Sequence, residues 1–598
     1  MVAYSALIDF SDPAHPQGPR LRQAFGVARQ TLVADRLDQV RGVLEAVQAQ
    51  AQQGAWCVGY LRYEAAPAFD AALTVHGATG PLAWFAVYDH ALPWPDLADP
   101  GAAAAAAMPQ DWKVDWQEPM ARPAFNVAMD TLHQAIAQGE LYQVNFTGQM
   151  LGRLSGASGV AGARSLFAAL QRAQPGGYSA YLDTGANGQL LSVSPELFFH
   201  WHAGRLLARP MKGTARRGAT AEQDAALAET LRTSAKERSE NVMIVDLLRN
   251  DLSRIAEPHS VRVPRLFHVE ALPTVWQMTS DVEARTRADC SLFDVFAALF
   301  PCGSVTGAPK VRAMQMIHAL EPQPRGVYCG ALGVVQPGGR ATFNVPIRTV
   351  TLQDTAAQCG IGSGITAYAD APGEWQEWQY KQAFVQRASS QFSLLETLAL
   401  VDGALRDADA HLARMAQAAR HFGTTWDAAQ VQQTLDSLVR QHPQGAWRVR
   451  LLLSPQGQAL AEAYALEPSP ERVRLQLADR ALAEAQGEFV RFKTTRRAHY
   501  DALAPTAVGV FDTLLWNSAG EVTECTRGNI ALHLDGRWVT PALHCGLLPG
   551  IGRAKALREG RAVESVVRVQ DLPRVTALAF VNSLRGWIDG DLLPSNQL

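Results

Sequence analysis

Cysteine is sparse in this 598-residue sequence, and the seven present (Cys57, Cys290, Cys302, Cys329, Cys359, Cys525 and Cys545) form neither a Cys-x-x-Cys pair nor a dense framework. Such scatter excludes a disulfide scaffold and a cysteine-held zinc site, and it fits a reducing cytoplasm. No run of about 18 apolar residues occurs, which excludes a membrane-spanning helix. The first ten residues, Met1 to Phe10, lack the basic start and long apolar core of a secretory signal. We therefore expect a cytoplasmic protein with no membrane partner. A formal charge of −3 and the absence of any Lys/Arg block remove the electrostatic footprint of a nucleic-acid binder.

What is present is ordinary for a soluble enzyme with large cores: 47% hydrophobic and 19% charged residues. The length exceeds what one core needs, and two modules are the simplest reading. Short apolar and aromatic runs at Trp56–Leu61 and Leu82–Tyr88 predict buried strands of a mixed sheet. A Pro/Asp/Ala-rich stretch between Pro93 and Gln117, containing Ala102–Ala107, has no patterned apolar face and is placed as a surface connection and joint, although polyalanine also suits a short helix. Beyond it, periodicity predicts helices over Phe125–Gln138 and Thr220–Arg249, and strands over Gln189–His200 and Arg340–Thr351. A second pattern begins near Leu394, with strands at Arg448–Leu453 and Val508–Leu515 and helices at Ala408–Phe422 and Gly552–Glu559. The expected division is 1–388 (with 1–115 as an N-terminal part and 120–385 carrying the motifs) and 393–598.

Glu237 and Glu240 are three apart on one helical segment, and Glu374, Glu377 and Lys381 follow i, i+3, i+7 on another, so each set shares a helix face. Four carboxylates without histidine or cysteine suit Mg²⁺, a hard cation. Spacing alone is met equally well by two solvated faces with ordinary salt bridges.

The company of these residues decides. Ser194-Pro195-Glu196-Leu197-Phe198, Pro210-Met211-Lys212-Gly213-Thr214, Met243 through Leu252, Gly303-Ser304-Val305-Thr306-Gly307-Ala308-Pro309-Lys310 and Pro346-Ile347-Arg348-Thr349 occur in this order. The segment 120–385 closely resembles the chorismate-utilising enzymes, which include anthranilate synthase component I, aminodeoxychorismate synthase component I and the isochorismate and salicylate synthases. The resemblance implies that Glu240 and Glu377 ligate Mg²⁺ directly, with Glu237 and Glu374 acting through water. It implies that Tyr328 and Arg348 grip the enolpyruvyl group, that Thr306 and the amides around Gly362 and Gly364 complete the pocket, and that Lys381 adds positive charge. In the aminodeoxychorismate synthases it resembles, a lysine at the position of Lys212 attacks C2 of chorismate and expels the 4-hydroxyl. A carboxylic acid at Glu196 then serves the leaving hydroxyl as general acid. One departure is Gln277, where many relatives carry histidine. No glutaminase region is visible, so ammonia is expected from a separate glutamine amidotransferase subunit.

The last 205 or so residues carry Leu395-Glu396-Thr397-Leu398, His411-Leu412-Ala413-Arg414, Lys493-Thr494-Thr495-Arg496, Glu521 through Cys525, Leu548 through Arg553 and Asn582 through Gly586. This set resembles the fold-type IV pyridoxal-phosphate enzymes, among them aminodeoxychorismate lyase and the branched-chain and D-amino acid aminotransferases. The resemblance implies that Lys493 binds the cofactor aldehyde and Glu524 pairs with the pyridine nitrogen. Arg414, the amides of Gly550 and Ile551, and Ser583 would hold the phosphate. The usual first strands before Glu396-Thr397 are missing. Self-association through this module is also expected.

The resulting expectation is an α/β (α+β) two-module chain: a large mixed-sheet chorismate-binding fold, then a fold-type IV domain. Its function would be 4-aminobenzoate synthesis from chorismate. An anthranilate- or salicylate-type synthase fused to an aminotransferase, or a synthase with a non-catalytic second module, stays open.

Overall fold

The computed structural model describes residues 4–15, 18–95, 112–216, 221–271, 275–505 and 508–593. The chain divides into two compact units, Met1–Gln391 and Phe392–Leu598, each mixed α/β. The alanine run Ala102–Ala107 lies outside the described residues.

The first unit is built on two ten-stranded sheets. Trp56–Leu61 and Ala83–Tyr88 form adjacent strands of one of them. Every described pairing in both sheets is antiparallel, where the sequence led us to a mixed sheet. Alternating helical and strand patterns suggest parallel crossovers, but hairpins and long returns satisfy the same pattern. Helix Arg122–Ala137 buries Phe125, Met129 and Leu132 at i, i+4, i+7, which is why that segment is helical and where it packs.

Three expected elements are each divided in two. The run Gln189–His200 is one strand, Gln189–Ser194, in the first sheet and another, Leu197–His202, in the second. The run Arg340–Thr351 returns the other way: Ala341–Asn344 lies in the second sheet and Thr349–Gln353 in the first. Both crossings leave residues unpaired in the ladders, Pro195-Glu196 in one and Val345 to Arg348 in the other, and the backbone of Arg348 is left-handed with φ 50°. The helical run ends at Thr233 and restarts at Ala235, because the Ser234 side chain accepts a hydrogen bond from the Glu237 N–H and caps the second helix, Ala235–Ser253.

The second unit begins with a four-stranded sheet in which Leu394–Val401 pairs with Ala446–Leu453. Helices Ala408–Phe422 and Ala428–Gln441 contribute Met415, Phe422, Val431 and Leu435 to the core on it. An eight-stranded sheet follows, with both parallel and antiparallel pairs. The expected strand Val508–Leu515 is shortened at its start to Asp512–Trp516, and the last named helix is Ile551–Arg558.

The aromatic centre of the first unit is Phe296, whose ring lies 5.1–6.2 Å from those of Phe198, Phe199, Phe300 and Phe343. Phe296→Ala is expected to destabilise this unit by about 3–5 kcal/mol, since it removes a fully buried ring and leaves a cavity. Val127→Ala, at a position 66% exposed, should change stability by less than about 0.5 kcal/mol. Calorimetry of the two variants checks this, and equal effects would contradict the placement of the core.

Candidate active sites

In the first unit, Glu196 sits in the crossing after Pro195 and is held there by its own backbone. Its N–H donates to Ser194 Oγ (3.2 Å) and its carbonyl accepts from the Val345 N–H (3.1 Å). The side chain is buried. Burial pushes its carboxyl up to about 7, opposed by a hydrogen bond from Ser304 and by the charges of Lys212 and Lys381.

Lys212 lies on strand Met211–Arg216 at a register shift, beside Gly213 with φ 91°. Such a bulge re-aims a side chain, and the left-handed residue in it favours glycine. Gln277 braces the bulge: its Nε2 donates to the Gly213 carbonyl (2.8 Å) and its Oε1 accepts from Thr214 Oγ1 (2.9 Å). Gln277 is thus a clamp on the Lys212 strand. A Cβ at Gly362 would collide with the Phe146 carbonyl, so glycine is required there, and Lys212 Nζ lies in the space that a side chain at Gly364 would take. Gln143, which the sequence reading missed, borders the same spot at Gly364; it is fully buried and both of its amide atoms lack a partner among the described residues.

The four expected metal ligands stand on helices Ala235–Ser253 and Ala371–Arg387. Burial raises the carboxyl of Glu237, with further contributions from Glu240 and Glu377; burial, then Glu377, raises that of Glu374. Glu377 is lowered by Lys381, whose Nζ lies 2.6 Å from its Oε1 and also donates to the Gly362 carbonyl at 2.9 Å. Glu240 accepts from Thr366 Oγ1 at 3.3 Å. Among the described residues no three acidic, histidine or cysteine side chains close into a ready metal cage. The donor set nonetheless fits a hard divalent cation, because carboxylates from two helices repel one another and Glu374 Oε2 is buried without a partner among the described residues.

Arg348 is half-buried, and burial pulls its guanidinium down to about 10. It donates to Gln174 Oε1 and makes no ion pair among the described residues, which leaves capacity for an anionic group. The Tyr328 ring fills the space a side chain at Gly360 would need. Thr306 donates to the carbonyl of Cys302 at 3.0 Å and is fully buried.

In the second unit, the segment carrying Lys493 runs beside Leu394–Val401, with Leu395 N–H donating to the Lys493 carbonyl at 3.0 Å. Burial lowers the Lys493 amine to about 8; Glu396 and Glu524 oppose the shift, and Arg414 and Arg497 add to it. Burial raises the Glu524 carboxyl to about 8, although Tyr500 donates to its Oε1 (2.7 Å), as does the Leu548 N–H (3.2 Å). Asn529 Nδ2 donates to the Leu548 carbonyl (3.0 Å) and approaches Glu524 Oε2 (3.4 Å). A Cβ at Gly550 would collide with the Asn529 amide oxygen.

Arg414 is less free than its expected role suggested. Its Nε and Nη2 donate to Glu396 at 2.8 and 2.6 Å, and Nη1 donates to the Pro549 carbonyl at 3.1 Å. His411 Nδ1 also meets Glu396 Oε2 at 2.7 Å. Burial opposes ionisation of Glu396, but Arg414 and His411 together hold it down at about 2. Gly550 caps helix Ile551–Arg558 with no side chain of its own, so the first amides, Ile551 included, face outward from an uncapped positive end. The backbone of Asn582, next to Ser583, packs against Gly552 at that end. A buried amine, an acidic group with no cationic partner within ion-pair distance among the described residues, and an uncapped helix start fit pyridoxal phosphate. Glu396 and His411 stand in the sequence motifs without an assigned role, and the fold supplies it by bringing both to Arg414; Tyr500 and Asn529, which meet Glu524, lie outside those motifs.

The family model described as chorismate binding enzyme matches residues 15–387, and that described as amino-transferase class IV matches residues 393–590. Aminodeoxychorismate synthase component 1 of Klebsiella aerogenes is 39% identical over 288 residues, covering 48% of this chain and 61% of that protein. Aminodeoxychorismate synthase of Streptomyces griseus is 41% identical over 263 residues, covering 44% of this chain and 36% of that one. The chain therefore spans less than two thirds of these relatives' length. The menaquinone-specific isochorismate synthase of Escherichia coli shares the fold, with a TM-score of 0.51 at 18% identity over 65% of this chain and 89% of that one. With its first family match covering well over half of its length, the chain belongs to the chorismate binding enzymes and carries a class IV aminotransferase domain behind that fold.

Proposed function

We propose that the first unit aminates chorismate to 4-amino-4-deoxychorismate and that the second removes pyruvate from this product to give 4-aminobenzoate. The observation that carries the reading is the pairing of Lys212 Nζ, set against Gly364, with a buried carboxyl at Glu196 that keeps its proton to about pH 7.

Lys212 Nζ attacks C2 of chorismate. The C1=C2 pair moves to C1=C6, the C5=C6 pair moves to C4=C5, and the C4–O bond breaks as Glu196 protonates the departing hydroxyl. Ammonia then bonds to C4, the double bonds return, and Lys212 leaves C2. Ammonia comes from a separate glutamine amidotransferase subunit. Arg348 and Tyr328 hold the enolpyruvyl group. Glu237, Glu240, Glu374 and Glu377 would hold Mg²⁺, which supplies positive charge for the ring carboxylate.

In the second unit, pyridoxal phosphate supplies an electron sink when bound. Glu524 would face its pyridine nitrogen, while Arg414, Gly550, Ile551 and Ser583 would face its phosphate. Lys493, with its amine lowered to about 8, is available as a base near neutral pH and takes the proton from C4. Loss of the enolpyruvyl group from C3 as pyruvate then leaves an aromatic ring. A product that is both an amine and one elimination from aromaticity favours a lyase behind this synthase over an aminotransferase.

Lys212→Ala should abolish aminodeoxychorismate formation from chorismate and ammonium yet still convert supplied aminodeoxychorismate. Lys493→Ala should do the reverse, with the second step slowed about 10²–10⁴-fold. Loss of both half-reactions in either variant would sink the two-site reading.

A second check needs no cofactor. Acylation of Lys493 in the cofactor-free protein, mapped by mass spectrometry, should show a midpoint near pH 8. Glu396→Gln should move it lower, since a negative neighbour that favours the ammonium form is removed. A midpoint at the ordinary 10.5 would contradict the assignment.

A further inference from the structure

Ser304 stands in the turn Gly303–Val305, buried, with its Oγ 2.7 Å from Glu196 Oε1. On its other side the Cys302 Sγ lies 3.2 Å from the same Oγ. Either atom of that contact can donate; with the hydroxyl hydrogen turned to Glu196, the thiol is the donor of the second bond. The result is a directed chain from Cys302 S–H to Ser304 O–H to Glu196. Both partners are enclosed, so neither bond is exchanged for one to bulk water.

We propose that Ser304 is a positioning residue for proton transfer: by donating to Oε1 it keeps the acidic proton of Glu196 on Oε2. This rests on the reading of Glu196 as the general acid. A carboxylic acid carries its proton on one oxygen at a time, and an oxygen that accepts a short hydrogen bond is the poorer seat for it. In the transfer, the Oε2–H bond breaks, its proton bonds to the leaving C4 hydroxyl, which departs as water, and the carboxylate that remains is stabilised by the Ser304 hydrogen bond. Ser304 therefore strengthens the acid as well as orienting it. The other groups that act on this carboxyl are Lys212 and the backbone N–H of Met211 from strand Met211–Arg216, Lys381 from helix Ala371–Arg387, and the thiols of Cys302 and Cys329. Burial pushes both thiols up to about 12, so they stay neutral while Glu196 titrates.

The test uses the full chain. Aminodeoxychorismate formation is followed against pH at fixed free ammonia, and the protonated carboxyl of Glu196 is followed by infrared spectroscopy, its band assigned by loss in Glu196→Gln. Wild type and Ser304→Thr, which keeps the hydroxyl, should share a midpoint near 7. Ser304→Ala should raise the midpoint by about one pH unit, the loss of one charge-assisted hydrogen bond, and lower kcat while KM for chorismate holds. Cys302→Ala, which leaves Ser304 in place, should move the midpoint the same way by less. A Ser304→Ala variant that loses kcat with both midpoints unmoved would overturn the proposal and leave Ser304 a packing residue. Wild-type turnover in Glu196→Gln would instead overturn the acid assignment beneath it, a result that the infrared midpoint of Ser304→Ala does not depend on.

Discussion

Two charges buried together, Glu321 and Arg325, hold the chorismate-binding fold in register at its site. Their side chains are 6% and 2% exposed and meet through two bonds of 2.7 and 2.8 Å one helical turn apart in sequence. Arg325 also donates to the carbonyls of Val305 and Asn145 at 2.7 Å each, while Glu321 accepts from the Thr147 N–H at 2.8 Å. One ion pair thus fastens the long strand Gln143–Ser155 to the turn that presents Ser304. Breaking such a pair from one side leaves an uncompensated charge, which typically costs about 3–5 kcal/mol. Glu396 and Arg414 play the corresponding part in the second unit, where the arginine is fixed by a buried carboxylate and reaches on to the loop before Gly550.

Around these fixed points the ionisable groups are pushed away from their ordinary values in the directions that acid and base chemistry needs. Glu196 is raised to about 7, Lys493 is lowered to about 8 and Glu524 is raised to about 8, each first of all by burial. Perturbation by desolvation alone is common in cores, but Glu196 feels the charge of Lys212, whose Nζ lies against Gly364, and Glu524 meets Asn529, whose amide oxygen lies against Gly550, and those combinations mark a site. The raised carboxyls of Glu237 and Glu374 follow a different logic, since carboxylate neighbours add to burial there, and a bound cation would relieve both.

The sequence was most legible where chemistry and local spacing coincide. The motif carrying Lys212 and Gly213, the i, i+3 carboxylates and the helix Ala408–Phe422 could all be read directly, and the structure forms that helix with the same ends. It was least legible at Gln189–His200 and Arg340–Thr351, each read as one strand. Apolar patterning continues across both breaks, so periodicity has no means to see the change of sheet; the breaks are where Glu196 and Arg348 stand. Local regularity gives way at the positions that carry function. The split at Ser234 did have a signal, a serine three residues before Glu237, but the helical pattern on either side concealed it. The roles of Ser304 and Tyr500 were beyond reach for another reason. Their partners lie 108 residues away for Ser304 with Glu196 and 24 for Tyr500 with Glu524, so only the fold reveals them.

The central claim is that one chain carries chorismate through amination and aromatisation. Incubating the full chain with chorismate, ammonium, Mg²⁺ and pyridoxal phosphate and identifying the products by chromatography and mass spectrometry tests it most directly. The account predicts 4-aminobenzoate and pyruvate in equal amounts. Anthranilate or salicylate as the aromatic product would contradict it.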